Sequence, residues 1–223
     1  MRKSWWKVLC VILLGYTIIG GFLLSVPRLN IVNETVRALY FHVPMWFGMI
    51  ALFLASMIYA IRYLRNNNPQ DDIYSSQLAN VGIIFGLLGI FTGMIWANYA
   101  WGTPWHGDAK QNGAAVATLA YLIYFVLRGA LSSDEQRARF SAVYNIFAFA
   151  AMIPLIFIYP RMVDSLHPGS GGNPGFNMYD LDSKMRMVFY PACIGWILLG
   201  FWIATIRIRT RVIEETILDQ ENE

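Results

Sequence analysis

Three histidines and one dense run of aromatics carry most of the chemistry this chain can offer. From Trp96 to Lys110 the sequence reads Trp-Ala-Asn-Tyr-Ala-Trp-Gly-Thr-Pro-Trp-His-Gly-Asp-Ala-Lys, with three Trp, one Tyr, one His and one acid in fifteen residues. Trp and Tyr gather at membrane interfaces because one edge is apolar and the other donates a hydrogen bond. Trp5, Trp6 and Trp202 need no more than that. Trp96, Trp101 and Trp105 stand among Gly102, Pro104 and Gly107, residues that set a loop shape rather than a helix stripe. Flat aromatic faces with Asp108 and Lys110 beside them predict a platform for a flat, apolar ligand with a few polar groups.

His42 and His167 flank this run and His106 lies inside it. A lone interfacial His is ordinarily a hydrogen-bonded structural residue. Three of three at one membrane face favour a site, and two imidazoles beside a Trp shelf suggest haem, whose iron takes neutral imidazole. Pro44 suits the first turn of a helix, which places His42 just ahead of that helix, facing an outer cleft. Arg37, about one turn earlier, can fork onto a carboxylate such as a haem propionate, or else meet lipid headgroups. His167 sits in a Gly- and Pro-rich loop, from which a ligand can be supplied or withdrawn. Its second ring nitrogen needs an acceptor, and Asp164 is the local candidate.

The elements that must position these groups are membrane helices. The chain has 223 residues, 57% hydrophobic and only 14% charged, where a soluble domain carries about a quarter charged. Six apolar segments stand out, at about 6–26, 44–64, 79–99, 113–131, 140–159 and 187–206. Each is long enough to cross a bilayer once as a helix. The first follows basic residues, but it exceeds a signal-peptide core and no small-residue cleavage site follows, so it reads as a retained helix. Eleven of the 17 Lys and Arg fall on one set of helix ends. The positive-inside rule then places both termini in the cytoplasm and the loops 27–43, 100–112 and 160–186 outside. The expected fold is an all-α membrane protein, a six-transmembrane-helix bundle over residues 1–206, with a periplasmic Trp-rich loop and a cytoplasmic tail over 207–223. A bacterial inner membrane is the default setting.

Other chemistries are not signalled. Cys10 and Cys193 lie in apolar segments without metal-ligand spacing and read as small buried hydrophobes. No G-x-S-x-G, H-E-x-x-H or Walker loop occurs. A net charge of +3 on scattered basic residues gives no nucleic-acid patch.

Taken together, these residues resemble the haem-handling family of cytochrome c assembly proteins, most closely the haem exporter protein C (CcmC) family. That family's tryptophan-rich loop, W-G-x-x-W-x-W-D-x-R, is met by Trp101, Gly102, Trp105 and Asp108, with Gly107 in place of the second core Trp and Lys110 in place of the Arg. The first departure removes an aromatic wall, in whose place the neighbouring His106 could stack. The second replaces a bidentate fork with a point charge. An upstream R-x-x-Y-x-H-V-P is met by Arg37, Tyr40, His42, Val43 and Pro44, and a downstream L-H by Leu166 and His167. The likeness spans about residues 1–206.

The resemblance implies a protein that binds haem b at the periplasmic face and passes it to a periplasmic haem chaperone of the CcmE type. His42 and His167 would be the axial iron ligands. Trp96, Trp101, Trp105, Asp108, Arg37 and Lys110 would contact the cofactor. Implied partners are an ATP-hydrolysing subunit, a second membrane subunit and a small single-helix membrane protein. No conventional turnover is implied beyond promoting covalent haem attachment to the chaperone. An alternative is the membrane-spanning subunit of a haem exporter, with haem moving through the bundle. The glycines at 82, 86, 89 and 93 would then mark a path rather than close helix packing. A quinone-linked oxidoreductase would need further buried ligands, which the sequence does not offer.

Overall fold

The computed structural model describes residues 4–27, 32–167 and 181–221. Among them every regular element is helical. These are α1 (Trp5–Leu23), α2 (Leu39–Asn66), α3 (Pro69–Trp101), α4 (Ala109–Ala130), α5 (Asp134–Ile153), α6 (Tyr159–Met162) and α7 (Ser183–Glu221). A 3-10 turn (Asn33–Ala38) leads into α2, and a π-helical turn (Pro154–Ile158) joins α5 to α6. Six helical stretches are long and apolar enough to cross a membrane. Six such crossings would put both described ends of the chain on the side opposite His42, Trp105 and His167.

The helices overrun the apolar segments that announced them. α3 starts at Pro69, ten residues before its apolar run, because Asn68 caps it by accepting from the Gln70 N–H and Pro69 takes the first turn. At about 1.5 Å per residue its 33 residues reach roughly 50 Å. α7 continues through residues 207–221 instead of ending at the apolar boundary. Just after α5, Pro154 lacks the N–H that would close the next α-helical bond, and the ladder there loosens into the π turn. Ser133 occupies the N-cap position of α5 without a side-chain cap bond. The proline- and glycine-rich stretch 168–175 lies outside the described residues, as does Arg28.

Beneath the His-bearing end the bundle is filled. Phe53 of α2 and Tyr121 of α4 stack with ring centroids 3.4 Å apart, inside a buried cluster with Met49, Leu52, Phe85 and Met152. Gly82 and Gly86 of α3 belong to this packing. A Cβ on Gly82 would lie 2.5 Å from the Phe53 ring, and one on Gly86 2.9 Å from Met49 Sδ. Four helices also share one buried polar knot. Asn145 Nδ2 donates to Ser56 Oγ at 2.7 Å and to Ser75 Oγ at 3.1 Å, while its Oδ1 accepts from Tyr121 at 3.1 Å. With no water in the hydrocarbon to take such groups, each needs a partner of this kind. Cys10 and Cys193 are both buried free thiols.

Candidate haem site

A cavity of about 720 Å³ opens at the His-bearing end between α2, α3, α4, the π turn and the start of α7. That volume lies in the range of small-molecule and cofactor sites, about 300–1,000 Å³. His42, Trp96, Trp105, Lys110 and His167 all line it, so the structure gathers five of the eight predicted contact residues around one space. A larger polar hollow, about 1200 Å³, lies at the opposite end and has no imidazole in its lining.

His42 stands inside α2, not ahead of it. The 3-10 turn hands the chain directly to a helix that begins at Leu39, five residues before Pro44. The imidazole sits against α3 where only a glycine leaves room: a Cβ on Gly93 would come within 2.7 Å of His42 Cε1. His42 Nδ1 is 3.0 Å from Thr92 Oγ1. The Thr92 hydroxyl spends its proton on Leu88 O at 2.8 Å, so it accepts from His42 Nδ1–H. The lone pair is therefore on Nε2, which receives a long 3.4 Å hydrogen bond from Trp46 Nε1–H.

His167 is oriented by Asp108 and not by Asp164. Its Nδ1 lies 2.7 Å from Asp108 Oδ1. Asp164 is exposed, whereas the Asp108 side chain is 1% exposed. The Asp108 carboxylate also accepts from Leu166 N–H at 2.7 Å, Ser165 Oγ at 3.3 Å and Lys110 N–H at 2.9 Å, the last as the N-cap of α4. Burial pushes this carboxyl up, but the bonds from His167, Leu166 and Lys110 outweigh it and hold the group well below the usual carboxylate range. Asp108 thus sits behind a candidate ligand instead of lining the cavity. An ionised carboxylate only accepts, so His167 donates from Nδ1 and keeps Nε2 for a ligand.

The aromatic run divides between helix and loop. Trp96 and Trp101 are on the last turns of α3, which Gly102 ends in the left-handed conformation at φ 79°. Trp101 packs edge-on against Trp96 and against His167, with centroids 5.1 and 5.0 Å apart, so it buttresses the site from outside the cavity wall. His106 stands edge-on to Trp101 at 6.1 Å. Trp105 projects from a loop that α4 stitches down. Gln111 donates to Pro104 O at 3.1 Å and accepts from His106 N–H at 2.9 Å, and Asn112 donates to Gly107 O at 2.8 Å.

Arg37 is elsewhere. Its guanidinium donates to Gly21 O and Leu24 O at 2.8 and 2.7 Å and pairs with Glu34, closing the end of α1. The arginine that lines the cavity is Arg186, on the first turns of α7.

A model of the family described as Heme exporter protein C (CcmC) matches residues 2–222. The chain belongs to that family. Similar members include the Heme exporter protein C of Paracoccus denitrificans, 25% identical over 81% of this chain and 74% of that protein. That of Haemophilus influenzae is 24% identical over 93% and 83%. A putative cytochrome c biosynthesis ccmC-like mitochondrial protein of Marchantia polymorpha is 28% identical over 62% of this chain, which spans 58% of its length. With six apolar helices, this family member is a multi-pass membrane protein. Sequence reasoning missed Thr92, Gln111 and Arg186 as parts of the site. Arg186 was visible only as one of six basic residues on the outer ends.

Proposed function

We propose that the chain binds haem in this cavity, with His42 and His167 as axial ligands, and hands it on during c-type cytochrome maturation. The observation that carries the reading is the matched state of the two imidazoles. Both line one cavity, both have Nδ1 committed to a protein acceptor, and both leave an Nε2 lone pair that could ligate, at His42 past the long contact from Trp46. Trp96 and Trp105 supply flat apolar walls, and Lys110 a positive charge. The names of the relatives, heme exporters and a cytochrome c biosynthesis protein, agree with this reading.

A bound haem iron would supply the coordination chemistry, and His42 and His167 would hold it through their Nε2 atoms. The chain's own part would be to present these two imidazoles and to shield the macrocycle from lipid and water with the apolar lining. The charge bias of the helix ends supports a periplasmic position for the site in a bacterial inner membrane. From there haem would pass to a periplasmic chaperone of the CcmE type. An ATP-hydrolysing subunit, a second membrane subunit and a small single-helix protein would complete the assembly.

The test is the visible spectrum of the purified full chain in mild detergent with haem. A six-coordinate low-spin spectrum, lost in both His42→Ala and His167→Ala, is expected. A spectrum unchanged in both variants removes this reading.

A further inference from the structure

Resting on the haem reading above, we propose that Arg186 is the carboxylate-recognition residue of the cavity, taking a propionate of the bound porphyrin. Three observations point there. Arg186 lines the same cavity as the two imidazoles. Its Nε is buried and makes no hydrogen bond. Among the described residues no carboxylate lies within salt-bridge distance of it, although Asp182 lines the same cavity one helical turn away. Asp182 is committed to the start of α7, where its Oδ1 accepts from Lys184 N–H at 2.8 Å.

A guanidinium cannot shed its charge to escape burial. A buried donor on such a group, without an acceptor, is costly unless a ligand completes it. The rest of the lining is largely apolar, with Leu39, Val43, Phe47 and Met185 on the α2 and α7 sides. An anionic edge on an otherwise flat, apolar ligand is the shape of chemistry that such a space accepts. Lys110 lines the same cavity from α4, so positive charge is offered from two elements. The planar fork of Arg186 suits a carboxylate with both oxygens engaged, which an ammonium cannot match.

The proposal is tested by comparing free-acid and dimethyl-ester porphyrins. Iron protoporphyrin IX and metal-free protoporphyrin IX, each as acid and as ester, are titrated into the full chain in detergent. Wild type is compared with Arg186→Gln and Arg186→Lys. Wild type should prefer the acids. Arg186→Gln should lose about 10- to 100-fold in affinity for the acids, in line with one charge-assisted bond, and almost none for the esters. Arg186→Lys should recover part of the loss. The ester titration reports whether each variant still has an intact cavity. If haem binds with its imidazole spectrum while acid and ester bind alike, or if Arg186→Gln weakens both equally, the Arg186 assignment is overturned alone. If wild type binds none of the four compounds, the haem reading falls and this assignment falls with it.

Discussion

At the residue scale the site depends on where protons and lone pairs sit. Asp108 is the clearest case, since one carboxylate caps α4, fixes the chain at Leu166 and orients the His167 ring. Losing the carboxylate that orients a metal-binding His typically costs 10- to 100-fold in affinity. Asp108→Asn should therefore weaken haem binding by about that factor, read as a shift in the titration midpoint. The pH dependence follows from the sign of the shift. The folded-state carboxyl is held below its unfolded value, so its stabilisation is complete above about pH 4 and is lost as the pH falls through the depressed value. The thermal-unfolding gap between wild type and Asp108→Asn should stay level from pH 8 to about pH 5 and close at lower pH. A gap that instead closed near neutrality would contradict this account.

The roles of these residues were unevenly legible. His42, His167 and the aromatic run announce themselves by type and spacing. The His167 partner does not, because Asp108 lies 59 residues away and only the meeting of two loops joins them. Arg37 and Arg186 look alike in a sequence. Their partners in the fold separate them: one guanidinium closes the end of α1, and the other lines the cavity with Nε unpaired.

At the element scale, α2 and α3 work as a pair. α3 offers glycine where α2 brings bulk, and near the site these are Gly89 against Trp46 and Gly93 against His42. Gly93→Ala should push the His42 ring from its place and weaken or abolish the low-spin haem spectrum. Gly15→Ala, where a new Cβ meets nothing within 4 Å, should leave the spectrum unchanged. Equal spectra in the two variants would show that the ring does not depend on this clearance. The six apolar runs were legible because hydrocarbon demands them. Helix ends were not, since hydropathy is blind to polar residues that continue a helix beyond the bilayer. Asp71 and Asp72 on the first turn of α3 are such residues, as are Arg207, Arg209 and Arg211 on α7.

At the scale of the whole molecule, the two ends of the bundle differ in chemistry. The site end gathers imidazoles, indoles and an unpaired guanidinium donor around a mostly apolar space. The other end carries charges paired with one another, such as Arg128 with Asp72 and Arg211 with Glu215. Such polarity suits a protein that works at one face. A membrane-impermeant maleimide applied to spheroplasts should label Asp164→Cys and spare Ser132→Cys. The reverse pattern would invert the orientation drawn from the charge bias. The buried thiols Cys10 and Cys193 should give little background.

The indole of Trp46 gives His42 Nε2 a hydrogen-bond partner one turn along α2. Its N–H rests on the lone pair that an iron would use, at 3.4 Å. An iron ligated by His42 would have to displace that contact, and its release would let the contact re-form. A bond so long is weak, on the order of 1 kcal/mol or less, yet it would act against retention of any metal bound at that nitrogen. A storage protein would gain by removing such a competitor. A courier gains by keeping it, because its task ends only when the cargo is surrendered.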